Sequence, residues 1–471
     1  VFKEQTRDKI NNDLKQEQDV STKGTGESCG SPQFALKGST RSPIDLSAIY
    51  VGNKVIDLEW TKYESEDFDC YRLFKDGRKI YEAKSRNITF YRDEDVAKGS
   101  TYTYKIKVFN KTEKEVENDT TTATAGRVHG TIIRALTWSA DASPYNLTSD
   151  VYVVSCTLTI ESNVEVKGST LHIYGSQGGK LTSLNSVKFV NTTLHLEGVN
   201  GVTVTDCEFS GESSSRGIYI DGGSGNRVTQ CRFSGFTSDQ GCGILLWGSS
   251  NNTIINNTAS GINIGIRLTF GSDKNIIEEN NVSNDTWGIY LNGKNNTVRN
   301  NIACNCSTGI WLQGSENTTL TGNKASNNTD SGFYLWKSDD TKLVANEAQH
   351  NSNRGIYIED SARCQVVKNQ VSINGYGIRL LGSERCEILN NKVDSSFQNG
   401  IYLENSARAV IQNNSADNTL SWYHIYLSNS GHSVIKNNTA RGGSGGGIYV
   451  YFSPYCKIQN NNASKAVIYL T

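Results

Sequence analysis

The chain of 471 residues contains no methionine, and its 47 basic and 48 acidic residues leave a formal charge of −1. Without a basic field nothing draws in nucleic acid or an anionic lipid surface. No run of 18 apolar residues could span a bilayer as a helix. At 36% hydrophobic and 20% charged, the composition is lean for a spherical globule and points to a thin, extended core. The missing methionine, with Val1 first, fits removal of a secretory signal. It also removes the thioether ligands that suit copper, and the six histidines are scattered, so no metal or other cofactor is expected.

What is abundant is asparagine followed by small polar residues. Sixteen Asn-x-Ser/Thr sequons occur, at Asn87, Asn110, Asn118, Asn146, Asn191, Asn251, Asn256, Asn281, Asn284, Asn295, Asn305, Asn317, Asn327, Asn413, Asn437 and Asn462. They suit an exported glycoprotein, although Asn-rich turns also create sequons by chance. Eleven cysteines suit an oxidising exterior, and their odd number leaves at least one unpaired within the chain.

Residues 1–42 are polar and read as an arm or linker that orders by lying against a neighbouring domain or subunit. Residues 43–125 read as short strands: "VIDLEW" ending at Trp60, "CYRLFKDGRKIYEA" with a turn at Lys75 to Gly77, and the alternating "STYTYKIKVFN". Trp60, Tyr71, Leu73, Tyr102, Tyr104 and Val108 are the expected core of a β-sandwich. Through Leu58-x-Trp60, the "DEDVAKGSTYTYKIKVFN" segment and the lack of a Cys pair, this stretch resembles a fibronectin type III domain. The resemblance implies spacing or docking.

Residues 126–150 read as a connector or cap, and from 151 to 471 a repeat takes over. Glycines opening Gly-Ile-like strands stand at 217, 243, 265, 288, 309, 332, 355, 377, 400 and 447, with Tyr423-His424 in the remaining place. Leu171 and Leu194 extend the period backward, giving about thirteen turns of about 23 residues. Within a turn the residues alternate: Ile401 and Leu403 on one side, Tyr402 and Glu404 on the other. The leucine-rich-repeat consensus is missing. The expected fold is therefore all-β: a right-handed parallel β-helix, with rungs stacked at about 4.8 Å.

One rung position is assigned to Asn257, Asn281, Asn301, Asn323, Asn346, Asn369, Asn391, Asn414, Asn438 and Asn461. An amide there donates to one neighbouring rung and accepts from the other, so a column satisfies itself. Cys207 and Cys231 hold that position upstream, and Cys364 and Cys386 share another, with Cys456 three rungs on; these pairs could stack as thiols or form disulfides.

Chemistry is harder to find. A hydrolase needs two carboxylates roughly 5 to 10 Å apart. On the outward face Glu359 and Glu404 lie two rungs apart, about 9.6 Å, with Leu381 between them. The Asp-rich and Gly-His-Gly patterns of polygalacturonases are absent, leaving Asp339-Asp340 and Gly431-His432-Ser433 as fragments. His172 and His195 fall one rung apart, two ligands where a metal site needs more. The outward face also carries an aromatic strip, Tyr219, Tyr290, Trp311, Tyr334, Tyr357, Tyr402, Tyr426 and Tyr449, interrupted by Leu245, Arg267 and Arg379 and widened by Trp247 and Trp336. It reads either as cross-rung stacking or as a wet, adhesive patch for another subunit or for sugar rings.

A fibronectin-like module, an Asn-laddered β-helix and many sequons together resemble secreted surface proteins, notably of archaea, that build S-layers, sheaths or extracellular filaments. The repeat itself resembles the carbohydrate-binding and sugar-hydrolase β-helix family. The resemblance implies a cell-surface, glycosylated structural protein, not an enzyme, whose partner is a further copy of itself in head-to-tail contact. The alternative is a protein that binds or cleaves polysaccharide, with Glu359 and Glu404 or the aromatic strip as its working residues.

Overall fold

A computed structural model describes residues 44–212, 216–464 and 467–468, so the polar arm expected over 1–42 lies outside the described residues. The first seven strands form two layers. β1 (Leu46–Val51) and β5 (Phe90–Asp93) flank β2 (Ile56–Trp60) in antiparallel pairing. β3 (Phe68–Lys75), β4 (Arg78–Ala83), β6 (Thr101–Asn110) and β7 (Glu115–Thr124) make a four-stranded sheet in the order β4-β3-β6-β7. Asp76 and Gly77, both at positive φ, close the β3–β4 hairpin. Trp60, Tyr71, Leu73, Tyr104 and Val108 are buried between the layers. Tyr102 is only half-buried and takes the Lys75 ammonium 4.2 Å over its ring. Two carboxylates are buried with cations: Asp57 with Arg92 at 2.7 Å and Asp93 with Lys75 at 2.9 Å.

The two-layer unit runs directly into the rod. β8 (Val128–Ile132) pairs antiparallel with β1 and parallel with the strand Tyr145–Val153, and Trp138 Nε1 donates to the Tyr50 hydroxyl at 2.9 Å. From there the chain winds through about 14 turns of a right-handed parallel β-helix, one more than the glycine count because residues 128–153 already contribute strands. A typical turn has three short strands, such as Arg354–Glu359, Gln365–Val367 and Gln370–Ser372. Each pairs in register with its counterpart one rung away, which builds a front, a second and a third sheet; the second holds 13 strands in strict chain order.

Alternation explains why these segments pair as they do. Ile356, Ile358, Val366 and Val371 point inward and are buried, so one rung contributes several aliphatic side chains at roughly 1.5–3 kcal/mol each to a continuous core. A glycine opens most front strands because the backbone of the next rung is close: a Cβ at Gly332 would stand 2.7 Å from the Gly355 carbonyl oxygen, although His424 takes the same place on one rung.

The corner between second and third strands puts one residue in the left-handed region, which Asn tolerates. Asn256, Asn413 and Asn437 fill it, each followed by an inward Asn and then Thr or Ser. These sequons therefore sit where the corner geometry favours Asn, although Ala345 and Lys368 take the same position. Their asparagines are nevertheless exposed.

The inward Asn of that corner forms an amide column. Asn346 Nδ2 donates to the Leu320 carbonyl and to Asn369 Oδ1, both at 3.0 Å, and its own Oδ1 accepts from the Asn323 backbone N–H and Nδ2. The column runs Asn257, Asn280, Asn301, Asn323, Asn346, Asn369, Asn391, Asn414, Asn438, Asn461. At the second rung the expected Asn281 is replaced by Asn280. There, as at Ala345 and Lys368, a residue other than Asn takes the left-handed corner, and the amide that follows it, Asn280, enters the column while Asn281 starts the next strand and is exposed.

Three further columns escaped the sequence reading. Serines 315, 338, 361, 383, 406, 430 and 453 each accept from the backbone N–H one rung below, or supply the next acceptor. Asn226, Asn252, Asn275 and Asn296 form a second amide column, and Asn328, Asn351 and Asn374 a third. The recurring Ser two residues beyond each front strand is the signal that could have revealed the first.

Candidate functional site

The outward side of the front sheet gathers most of the chemistry-bearing residues. Its middle column is continuous over fourteen rungs, from Tyr152, His172, His195 and Tyr219 through Leu245, Arg267, Tyr290, Trp311, Tyr334, Tyr357, Arg379, Tyr402 and Tyr426 to Tyr449. In-register pairing forces neighbouring rings together. Tyr334 and Tyr357 stack at 5.0 Å and Tyr402 and Tyr426 at 4.9 Å, whereas Trp311 meets Tyr290 edge-on.

Of the two readings of the strip, its burial favours cross-rung stacking: Tyr290, Trp311 and Tyr357 are buried and the rest of the strip is half-buried. Ring faces consumed by neighbouring rings offer only edges outward. Arg379 belongs to the same stack, its guanidinium 5.6 Å from the Tyr357 ring and 5.3 Å from Tyr402.

The next outward column holds Trp336, Glu359, Leu381 and Glu404 in register, so the structure keeps the two glutamates two rungs apart with Leu381 between them. Each already has a partner. The Tyr334 hydroxyl donates to Glu359 Oε2 at 2.6 Å, and Arg379 Nη2 donates to Glu404 Oε2 at 2.9 Å. Burial and the neighbouring glutamate push the Tyr334 and Tyr402 phenols upward, which keeps them hydrogen-bond donors and not phenolate bases.

Beside the C-terminal half of this face the loops from third sheet to front sheet lengthen. A three-residue link at 373–375 becomes six residues at 395–400 and five at 418–422. These loops carry Phe397, 53% exposed, and Trp422, 55% exposed, with Ile373 and Leu420 alongside. Consecutive rungs hold them: the Phe397 N–H donates to the Asn374 carbonyl and the Trp422 N–H to Gln398. Unlike the strip, these rings stand in solvent. Sequence reasoning missed them because a lone aromatic in an irregular loop has no period.

The other candidate residues are dispersed. All ten described cysteines are free thiols; Cys207 stacks on Cys231 and Cys364 on Cys386, buried in column positions where their sulfurs face backbone carbonyls. Asp339 and Asp340 share Arg363 at 2.9 and 2.8 Å in an exposed turn, and His432 stacks on Tyr455. His172 and His195 do meet, Nδ1 to Nδ1 at 2.9 Å. Among the described residues no three His, Cys, Asp or Glu side chains converge as a metal cage, and no helix is long and apolar enough to cross a membrane.

Comparison with known proteins agrees with this architecture. The family profile "Right handed beta helix region" matches residues 242–391 and 376–469, and "Periplasmic copper-binding protein (NosD)" matches 146–298. Residues 242–469 carry right-handed β-helix domains. Solved structures similar to the chain include a double mutant of the periplasmic alginate epimerase AlgG (14% identity over 66% of this chain and 73% of that one, TM-score 0.40). Others are the A-module of mannuronan C-5 epimerase AlgE4 from Azotobacter vinelandii (12%, 67% and 91%, 0.38) and the catalytic unit of a GH87 α-1,3-glucanase from Streptomyces thermodiastaticus (13%, 88% and 90%, 0.42). At such identities and TM-scores these likenesses say nothing of what this chain does. No curated protein sequence matches the chain.

Proposed function

We propose that this chain is a polysaccharide-binding β-helix protein that works outside the cytoplasm, with residues 43–125 as a fibronectin type III-like spacer. The observation that carries the reading is the pair of exposed rings, Phe397 and Trp422, on successive loops beside a front face bearing the half-buried Tyr376, Arg379 and Glu404. A sugar ring needs an aromatic face to stack on and fixed donors and acceptors for its hydroxyls. One rung rises about 4.8 Å, close to the length of a pyranose unit, so a glycan laid along the rod would meet like groups in step. Binding is preferred to cleavage because both glutamates are engaged and Leu381 separates them.

The test is the affinity of the full chain for soluble uncharged glucans and polyuronates. Phe397→Ala and Trp422→Ala are each expected to weaken binding by about tenfold with little change in melting temperature, as both rings are exposed. No glycan bound, or a double variant binding as well as the parent, ends the proposal. Reducing ends released by the parent but not by Glu359→Gln or Glu404→Gln would turn binding into cleavage.

Self-association into a filament, sheath or surface layer is the second reading. Exposed Tyr451, Phe452 and Tyr455 near the last described rungs favour it, and single dispersed rods in electron micrographs at high concentration would remove it. N-glycans would sit on the exposed corner asparagines; unmodified tryptic peptides carrying Asn256 and Asn413 would count against them.

A further inference from the structure

We propose, resting on the binding reading above, that the glycan site extends from Trp422 across the front strands Tyr423–Ser428 and Gly446–Tyr451 to Phe452 and Tyr455, and that the glycan it takes is uncharged. Residues 419–433 and 442–456 build these two strands and their flanking turns. Neither stretch contains Asp, Glu, Lys or Arg, in a chain that is 20% charged. On the rungs below, the same outward columns hold Arg354, Glu359, Arg379 and Glu404. A polyuronate lying here would find no guanidinium or ammonium to pair with. The nearest charge in register is the Glu404 carboxylate, which would repel it and is already held by Arg379.

The rings on these rungs make an unbroken path. Tyr423 lies 4.5 Å from Tyr449 and 5.7 Å from Tyr426, and Tyr449 lies 6.2 Å from Tyr451. Tyr451 meets Phe452 edge-on at 4.3 Å, and Tyr455 stacks on His432 at the far side. The middle of the path is half-buried, whereas its two ends stand in solvent: Trp422 at one, Phe452 (49% exposed) and Tyr455 (76% exposed) at the other. A strand of six residues spans about 20 Å. One or two sugars therefore reach one end only, and a chain of several units reaches both.

The backbone shows that these ends are kept open at some cost. The loop on the rung above Trp422 has the sequence Gly442-Gly443-Ser444-Gly445-Gly446, with no side chain large enough to cover the indole. Its Gly446 N–H nevertheless donates to the Trp422 carbonyl at 2.7 Å and fixes that residue in place. At the other end Phe452 and Tyr455 adopt φ of 44° and 59°, where the two rungs below have Asn405 with Arg408 and Asn429 with His432. Bulky residues seldom take that conformation. Exposed rings recover little by burial, so packing within the chain does not explain them.

The experiment is calorimetry of the full chain with hexasaccharides of glucose in several linkages, hexamers of galacturonate and mannuronate, and the matching disaccharides. At least one glucose hexamer is expected to bind tenfold or more tighter than either hexauronate. Phe452→Asn and Tyr455→Asn should each lower hexamer affinity by about tenfold and leave disaccharide binding unchanged, whereas Trp422→Ala should weaken both. Asn suits the left-handed region, so the first two variants should melt no lower than the parent. Hexauronates that bind as tightly as the glucose hexamers, or Asn variants that keep full hexamer affinity, overturn this inference; a loss at Trp422→Ala then leaves the binding reading standing. No glycan bound by the parent ends both. Rods that associate through these rings without taking up glycan would assign the surface to a second copy of the chain and overturn the inference as well.

Discussion

Replacing Asp285 by Asn is expected to stabilise the rod by about 4 kcal/mol at pH 8 and to leave its stability nearly unchanged at pH 4. Asp285 stands where the third amide column has Asn two to four rungs later, with Cys306 between. Like Asn328, which accepts from the Cys306 N–H, it accepts from a backbone N–H, that of Ile262 at 3.0 Å. At Asn328, Asn351 and Asn374 the Nδ2 also donates to an alanine carbonyl of the preceding rung. Asp285 has Oδ2 instead, buried and without a partner.

Burial pushes this carboxyl from 3.8 up to about 7. Below about pH 4 it is protonated in folded and unfolded chains alike and contributes nothing. As pH rises, the unfolded chain gives up its proton first. The folded chain therefore binds more protons between about pH 4 and 7, and stability falls across that window to a constant penalty above it. Three units at about 1.4 kcal/mol each set the size. Thermal unfolding of both proteins across pH 4 to 8 checks it: curves that stay parallel would show that the carboxyl is not strained in its slot.

Asn346→Leu should cost about 3–6 kcal/mol, the largest loss expected from any single polar substitution in the rod. Leucine nearly matches the volume but strands the Asn323 backbone N–H and the Leu320 carbonyl in a dry interior, at roughly 1–3 kcal/mol each, and deletes the amide-to-amide bonds on both sides. The same change at Asn461 should cost far less, because that end of the column is only half-buried and water can replace what is lost. Urea midpoints for the two variants give the comparison. Similar losses at both positions would mean that the column contributes little beyond side-chain packing.

These two sites mark how far the residues alone could be read. Alternation in "GIYLEN" and its copies, together with the glycine spacing, was enough for strands, rungs and a thin core, because a period of two and a repeat of about 23 residues are local facts about the chain. The amide column was legible for the same reason, except in the Asn280–Asn281 pair, where the sequence does not say which of two adjacent amides follows the left-handed corner and the structure selects Asn280. Asp285 was not legible: an aspartate between Asn284 and Thr286 looks like any polar turn until its neighbours across the rungs are known.

The front face shows the same division. Its sequence announced a row of aromatic residues but not whether their faces were free, and in-register stacking uses them up while leaving Phe397 and Trp422 exposed in loops with no repeat. By itself, then, the sequence determined an all-β rod with inward aliphatics, corner asparagines and an outward aromatic row. Only the tertiary structure decided which rings meet solvent, which carboxylates already have partners, and that two histidines 23 residues apart touch. Every one of those outcomes depends on the residue one rung away, and that neighbour is set by register between strands, which no local stretch of chain encodes.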